Sequence, residues 1–156
     1  LTAGGFSGRD FKRGESMFRS AMCLGCHRFN GDGGGIGPDI SGAANRYTMR
    51  DFMENLVEPS KVVSDQYESQ LIHLKNGGTV MGRIVNEEDG KLQVMTNPFA
   101  PAALIPVEKE QVAKVEIQPV SMMPPGLINA LNENELLDLL AYIMTGGDAS
   151  NPAFAK

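Results

Sequence analysis

Cys23-Leu24-Gly25-Cys26-His27 holds the residues most able to do chemistry in this chain. Two cysteines two residues apart, with histidine directly after the second, form the pattern of a c-type haem attachment site. In that chemistry both thiols add across haem vinyl groups, and the histidine binds iron from the proximal side. Two rival chemistries fit the surroundings less well. A thioredoxin-like dithiol expects a strand before the motif and a βαβ unit around it. The preceding stretch here has helical spacing, and no βαβ unit is visible. Zinc wants four ligands, usually as two separated pairs. The whole sequence contains 2 Cys and 2 His, and the second histidine, His73, stands alone in an expected strand.

The elements that must position this motif can be read on both sides of it. Residues 1–8 are rich in Gly and small polar residues and read as a linker or mobile arm. A helix is expected from an N-cap at Asp10 to about Met22, with Phe11, Gly14, Met17 and Phe18 on one face. Glycine inside a helix costs roughly 1 kcal/mol against alanine, a cost explained if another helix crosses closely at Gly14. After His27, five glycines fall within residues 31–37. A phosphate cradle would need a preceding strand and a following Lys in the P-loop pattern, and neither is there. The better reading is a loop lying on the proximal haem face. There the Pro38 carbonyl would accept a hydrogen bond from the His27 ring and Ile40 would pack on the porphyrin.

A second helix is expected over Tyr47–Val57 with Thr48 as N-cap, stopped by Glu58-Pro59. Arg46 and Tyr47 are candidates for hydrogen bonds to a haem propionate, with an exposed structural role as the alternative for each. Residues 65–118 change character. Alternating segments separated by Asn76-Gly77-Gly78 and by Glu87-Glu88-Asp89-Gly90 imply four or five antiparallel strands in a small curled sheet or barrel. In the last of them, Val112–Ile117, Val and Ile should face inward and Lys and Glu outward. A final helix is expected after Asn132, with Glu135 in the capping-box position and Gly146-Gly147 as its end. Its Leu139/Tyr142 face is the natural partner of the Gly14/Phe18 face.

With 156 residues, a net charge of −5 and 42% apolar residues, the chain is of the globular type and is expected to be one domain, or one domain with a substantial insertion. No basic run points to nucleic acid, and no apolar stretch approaches the roughly 20 residues a bilayer requires. Covalent haem c is normally built outside the cytoplasm, so an export signal is expected to have been removed, or the domain to belong to a longer exported protein.

Gly14 and Phe18 before the motif, Gly37-Pro38-Asp39-Ile40 after it, Met123-Pro124, and Leu139-Leu140-Ala141-Tyr142-Ile143 in the last helix together resemble a class I cytochrome c. Ser121-Met122-Met123-Pro124-Pro125-Gly126-Leu127 and the ending from Gly146 to Phe154 resemble its planctomycete-type haem-binding branch. The resemblance implies a mainly α fold, with N- and C-terminal helices crossing around the haem and residues 65–118 inserted as a small β subdomain within a single 1–156 domain. It implies one covalent haem c on Cys23 and Cys26, with His27 as proximal ligand, Pro38 as its carbonyl partner and Met123 as distal ligand. Met122, His73 or an open distal position are the alternatives. The expected function is one-electron transfer to a redox partner protein or fused dehydrogenase domain, with no independent enzyme activity. A gas sensor or peroxidase-like site with a labile distal ligand is the first alternative. A docking or homodimerisation role for the β segment, whose strand edges invite pairing, is the second.

Overall fold

The structure is a computed structural model that describes residues 7–155. Most of the expected linker therefore lies outside the described residues. The chain divides into two compact units, one made of Leu1–Glu58 with Pro125–Lys156 and one of Pro59–Pro124.

In the first unit, α1 (Phe11–Ser20) begins where Asp10 accepts a hydrogen bond from the Arg13 N–H, which satisfies one of the orphan donors of the first turn. A short helical turn, α2 (Cys23–Cys26), carries the motif. A two-stranded hairpin follows, β1 (Arg28–Phe29) and β2 (Asp32–Gly33). Its two-residue turn is Asn30-Gly31, both with positive φ, as a turn matched to the twist of the strands demands. Helix α3 (Met49–Val57) is capped by Thr48, which accepts from the Asp51 N–H. Helix α4 (Glu133–Met144) has a full capping box between Asn132 and Glu135 and gives way to Gly146 and Gly147, both at positive φ.

Helices α1 and α4 cross at Gly14. A Cβ built there would stand 2.4 Å from the Asp138 carbonyl oxygen and 2.8 Å from the Tyr142 Cβ, so only glycine lets the backbones come this close. Around the crossing, Phe18, Phe29 and Tyr142 stack with ring centroids 5.0 to 5.5 Å apart, and Phe11 meets Tyr142 and Phe154 edge-on. Asp138 is wholly buried in the same crossing. Its carboxylate accepts from the Asp10 N–H at 3.0 Å and from Arg13 Nε, and Arg9 Nε lies 3.7 Å away. That carboxylate holds the Arg13 guanidinium above its ordinary pKa.

The second unit is a five-stranded antiparallel sheet of β3 (Glu68–Leu74), β4 (Thr79–Glu88), β5 (Lys91–Met95), β6 (Leu104–Glu108) and β7 (Val112–Ser121), in the order β6-β5-β4-β3-β7. β6 and β7 stand at opposite ends of that order, so the expected sheet or barrel is an open sheet. Each end strand carries a proline, Pro106 or Pro119, and an edge is one of the few places in a sheet where a missing donor is tolerated. Its core is Ile72, Leu92, Val94 and Val107, with Leu74, Val80, Ile84 and Val112 packed against it.

Two expectations need correction. The chain is not mainly α, because helix and strand occur in comparable amounts, with the helices in the first unit and the five-stranded sheet in the second. The inward placement of the β7 apolar residues holds for Val112, which packs against the core, and fails for Val115 and Ile117. Val115 pairs with the fully buried Ile72 and Ile117 with Gln70, yet they remain 42% and 66% exposed. β7 is an end strand, and alternation fixes which face a side chain takes without ensuring that anything covers that face.

Candidate haem-attachment site

Cys23, Cys26 and His27 are placed by α2 and by the residue that leaves it. Met22, before Cys23, takes a left-handed backbone (φ 61°), which separates α2 from α1. His27 leaves α2 in extended conformation, and its backbone N–H donates to the Cys23 carbonyl. The glycine-rich segment then folds back over the motif. Gly34 N–H donates to the Leu24 carbonyl at 3.0 Å, and Ile36 and Gly37 N–H groups donate to the Cys26 carbonyl at 3.1 and 2.9 Å. These bonds satisfy carbonyls that a four-residue helix leaves orphaned.

The His27 ring is fixed on two sides. Its Nδ1 lies 2.7 Å from the Pro38 carbonyl oxygen. A carbonyl only accepts, so Nδ1 carries the proton, and in the neutral ring Nε2 keeps its lone pair. The ring also lies against Gly37, where a Cβ would come within 2.6 Å of Cε1 and 2.8 Å of Nδ1. Burial holds the His27 pKa below its ordinary value, and the Pro38 bond opposes that only in part. The ring is therefore a neutral, oriented nitrogen donor.

Both cysteines are free thiols. Burial pushes the Cys23 thiol up to about 11 and raises Cys26 as well. A redox dithiol needs a depressed thiol pKa, so this environment points away from thioredoxin-like chemistry. Among the described residues, no group of three or more His, Cys, Asp or Glu side chains could hold a metal ion, which removes the ligand set that zinc requires.

The remaining sequence candidates separate. Ile40 is buried, and its N–H donates to the Arg28 carbonyl at 3.0 Å, which ties the end of the loop to β1. Arg46 donates through Nη2 to the Asp39 and Ser41 carbonyls, so its guanidinium braces the segment beside Pro38. Ser41 adds to the brace, with its N–H donating to Asp39 Oδ1 and its Oγ accepting from the Asn30 N–H, each at 2.7 Å. Asp39 is held below the usual carboxylate range by these Ser41 bonds. Tyr47 packs with Phe52, ring centroids 6.2 Å apart, and lies under the Arg46 guanidinium. His73 belongs to the second unit, where its Nε2 lies 3.0 Å from Glu116 Oε2. Met122 and Met123 also belong to that unit, on the segment leaving β7, where the Met123 N–H donates to Ser121 Oγ at 3.1 Å. Sequence reasoning missed the Arg46 brace and the Asn30-Gly31 hairpin. The first has no sequence signal, and the second was there to be read in the dipeptide itself.

A motif turn, a neutral imidazole oriented by a loop carbonyl, and helices crossing at a glycine define a haem-binding class of site. The family model described as Cytochrome c matches residues 11–147. The chain belongs to the cytochrome c family, whose members hold haem c covalently and carry electrons. None of the curated proteins compared with it matches the chain. The residues fit the group: two unpaired thiols two residues apart, an oriented Nε2, and a Gly37 surface that leaves room for the ring it orients. No helix among the described residues is long and apolar enough to cross a membrane.

Proposed function

We propose that this chain is a one-electron carrier of the planctomycete-type branch, with haem c bonded through Cys23 and Cys26 and ligated by His27 and Met123. The observation that carries the reading is the Nδ1–Pro38 bond, which leaves His27 Nε2 as the donor atom. When bound, haem c supplies a one-electron Fe(III)/Fe(II) couple. The protein's part is to hold the donors still and keep water off them. Pro38 and Gly37 fix the imidazole plane, so a change of iron charge requires little reorganisation of its ligand. The Pro38 bond also makes the imidazole a stronger donor. Arg46 and Ser41 keep the Pro38 segment in place, and Ile40 supplies apolar cover. A propionate contact from Arg46 or Tyr47 is a secondary part of the proposal.

For Met123 the support is its place directly before Pro124, whose fixed φ stiffens the segment, together with the Ser121 bond that holds its backbone. A six-coordinate His/Met site has no open position for substrate, so we assign no independent enzymatic activity. The domain is read as a single cytochrome domain with the β strands as an insertion. It would act in the periplasm or another exported compartment, exchanging electrons with a partner protein or fused dehydrogenase domain.

Absorption spectra of the oxidised and reduced holoprotein, beside Met123→Ala, test this reading. The expected result is a weak far-red charge-transfer band of an Fe(III)–thioether bond in the parent that the variant lacks. A high-spin parent spectrum without that band, with rapid CO binding to the reduced protein, would overturn it in favour of an open sensor or peroxidase-like site.

A further inference from the structure

The two ends of the five-stranded sheet differ. β6 spans Leu104–Glu108 with Pro106 at its middle, so its outer edge lacks a donor at the centre. β7 is twice as long, and its proline, Pro119, stands near its C-terminal end. Between them lies Lys114–Gln118, paired without a break to Ser69–His73 of β3. Val115 and Ile117 are exposed on one face, and Lys114 and Glu116 lie on the other.

We infer that β7 pairs antiparallel with β7 of a second copy of this chain, about a two-fold axis at Val115. The register follows from charge and from the prolines. Centred on Val115, each Lys114 faces the other copy's Glu116 and Val115 faces its own counterpart, all within the regular stretch that ends at the register shift beside Ala113. Centring on Lys114 or on Glu116 would put like charges directly opposite, which is destabilising. Centring on Ile117 would bring Pro119, which has no N–H, opposite Val115. With the axis at Val115, Pro119 falls beyond the paired segment. Within one chain Glu116 already bonds Lys114 and His73, which hold its carboxyl below the usual range. Pairing therefore adds a second lysine to a carboxylate that is already ionised, without burying a lone charge. The resulting ten-stranded sheet would give Val115 an apolar cross-strand neighbour, its own counterpart, on the exposed face.

This inference is independent of how the haem is ligated, so sedimentation and spectra can fail separately. The experiment is sedimentation equilibrium of the holoprotein over a concentration series, with Lys114→Glu, Glu116→Lys and the double variant. Each single reversal places like charges opposite in two symmetric pairs and should weaken dimerisation about tenfold. The double variant restores opposite charges in both pairs and should return to within about threefold of the parent. Circular dichroism and the haem spectrum check that each variant is folded. A parent that is monomeric throughout the series would overturn the inference, as would a double variant no tighter than the singles. If pairing survives both single reversals, it uses another surface or register.

Discussion

In the first unit two helices meet through a glycine, a buried carboxylate and a cluster of rings. In the second, five strands meet through backbone ladders over a four-residue apolar core. At the α1–α4 crossing single groups decide the outcome, because a methyl group at Gly14 has nowhere to go and a lost carboxylate at Asp138 leaves two donors and an ion-pair partner behind. In the sheet the hydrogen bonds belong to the main chain, so side chains are more freely exchanged. The difference matches the work of each unit. A haem iron needs a nitrogen donor held in one orientation, and that is obtained by fixing the elements around the motif to a few tenths of an ångström. The sheet has a close approach of its own at Gly82, where a Cβ would stand 2.4 Å from the Met95 carbonyl oxygen, but there it serves strand pairing and orients no donor.

The largest expected effect breaks the comparison at its polar centre. Asp138→Ala should destabilise the first unit by about 3 kcal/mol, because it removes the acceptor of the Asp10 N–H and the partner of two arginines. Arg9 makes the loss worse, since its Nε and Nη1 are already buried without hydrogen bonds. Asp138→Asn keeps an acceptor and should cost less. Hydrogen exchange locates the damage: amides of α1 and α4 should lose protection while those of β3 and β4 keep theirs. Uniform loss across both units would show that the two cores unfold as one, and the contrast would fall.

Next comes Gly14→Ala. Overpacking at a site 2.4 Å from a carbonyl oxygen costs about 1–3 kcal/mol, and alanine's helix propensity returns roughly 1 of it. A net loss of up to about 2 kcal/mol in denaturant unfolding is expected. A stabilised Gly14→Ala variant would mean that α4 can yield at the crossing, and the argument from close approach would fail.

These two sites also show how far the sequence could be read. Gly14 was legible because glycine in an amphipathic helix is costly and needs a reason, and Phe18 pointed to the same face. Asn132 with Glu135, Thr48 and Asp10 were legible because helix ends have a short list of acceptable caps. The Pro38 carbonyl could be matched to His27 because proline, with its fixed φ, follows the motif through a loop of glycines. Asp138 was not legible. It stands inside the run Leu136-Leu137-Asp138-Leu139-Leu140, and the cationic residues it serves, Arg9 and Arg13, are more than a hundred residues away. An acid within an apolar run, set against two arginines that bracket the N-cap of the partner helix, is the pattern to look for. For Arg46 the sequence left two readings open, an anion contact or a structural role, because the Asp39 and Ser41 carbonyls that its Nη2 bonds carry no sequence signal. In β7, periodicity gave the face correctly and the burial wrongly, since burial depends on a neighbour that the strand does not encode.

The sheet offers smaller effects that sharpen the comparison. Ile72→Val removes one methyl group from a fully buried side chain of the second core and should cost about 1 kcal/mol, felt at β3 and β4 in hydrogen exchange. A cost as large as that expected for Asp138→Ala would mean that the sheet is packed as exactingly as the helix crossing.

The smallest expected effect lies on the outer strand and depends on pH. Glu116 is held below its ordinary value of 4.5, first by the Lys114 hydrogen bond and then by His73. A carboxyl whose folded pKa is depressed binds fewer protons folded than unfolded, so its contribution is fully present above the ordinary value. That contribution falls away as pH drops through the lowered one. Glu116→Gln should therefore be slightly less stable than the parent near neutral pH, and the two unfolding curves should converge in acid below about pH 4. The comparison is made at dilute protein, so that chain pairing does not enter. A difference that persists unchanged into acid would show that Glu116 acts through packing on β3. The outer strand would then resemble the helix crossing, where the shape of a residue matters as much as its charge.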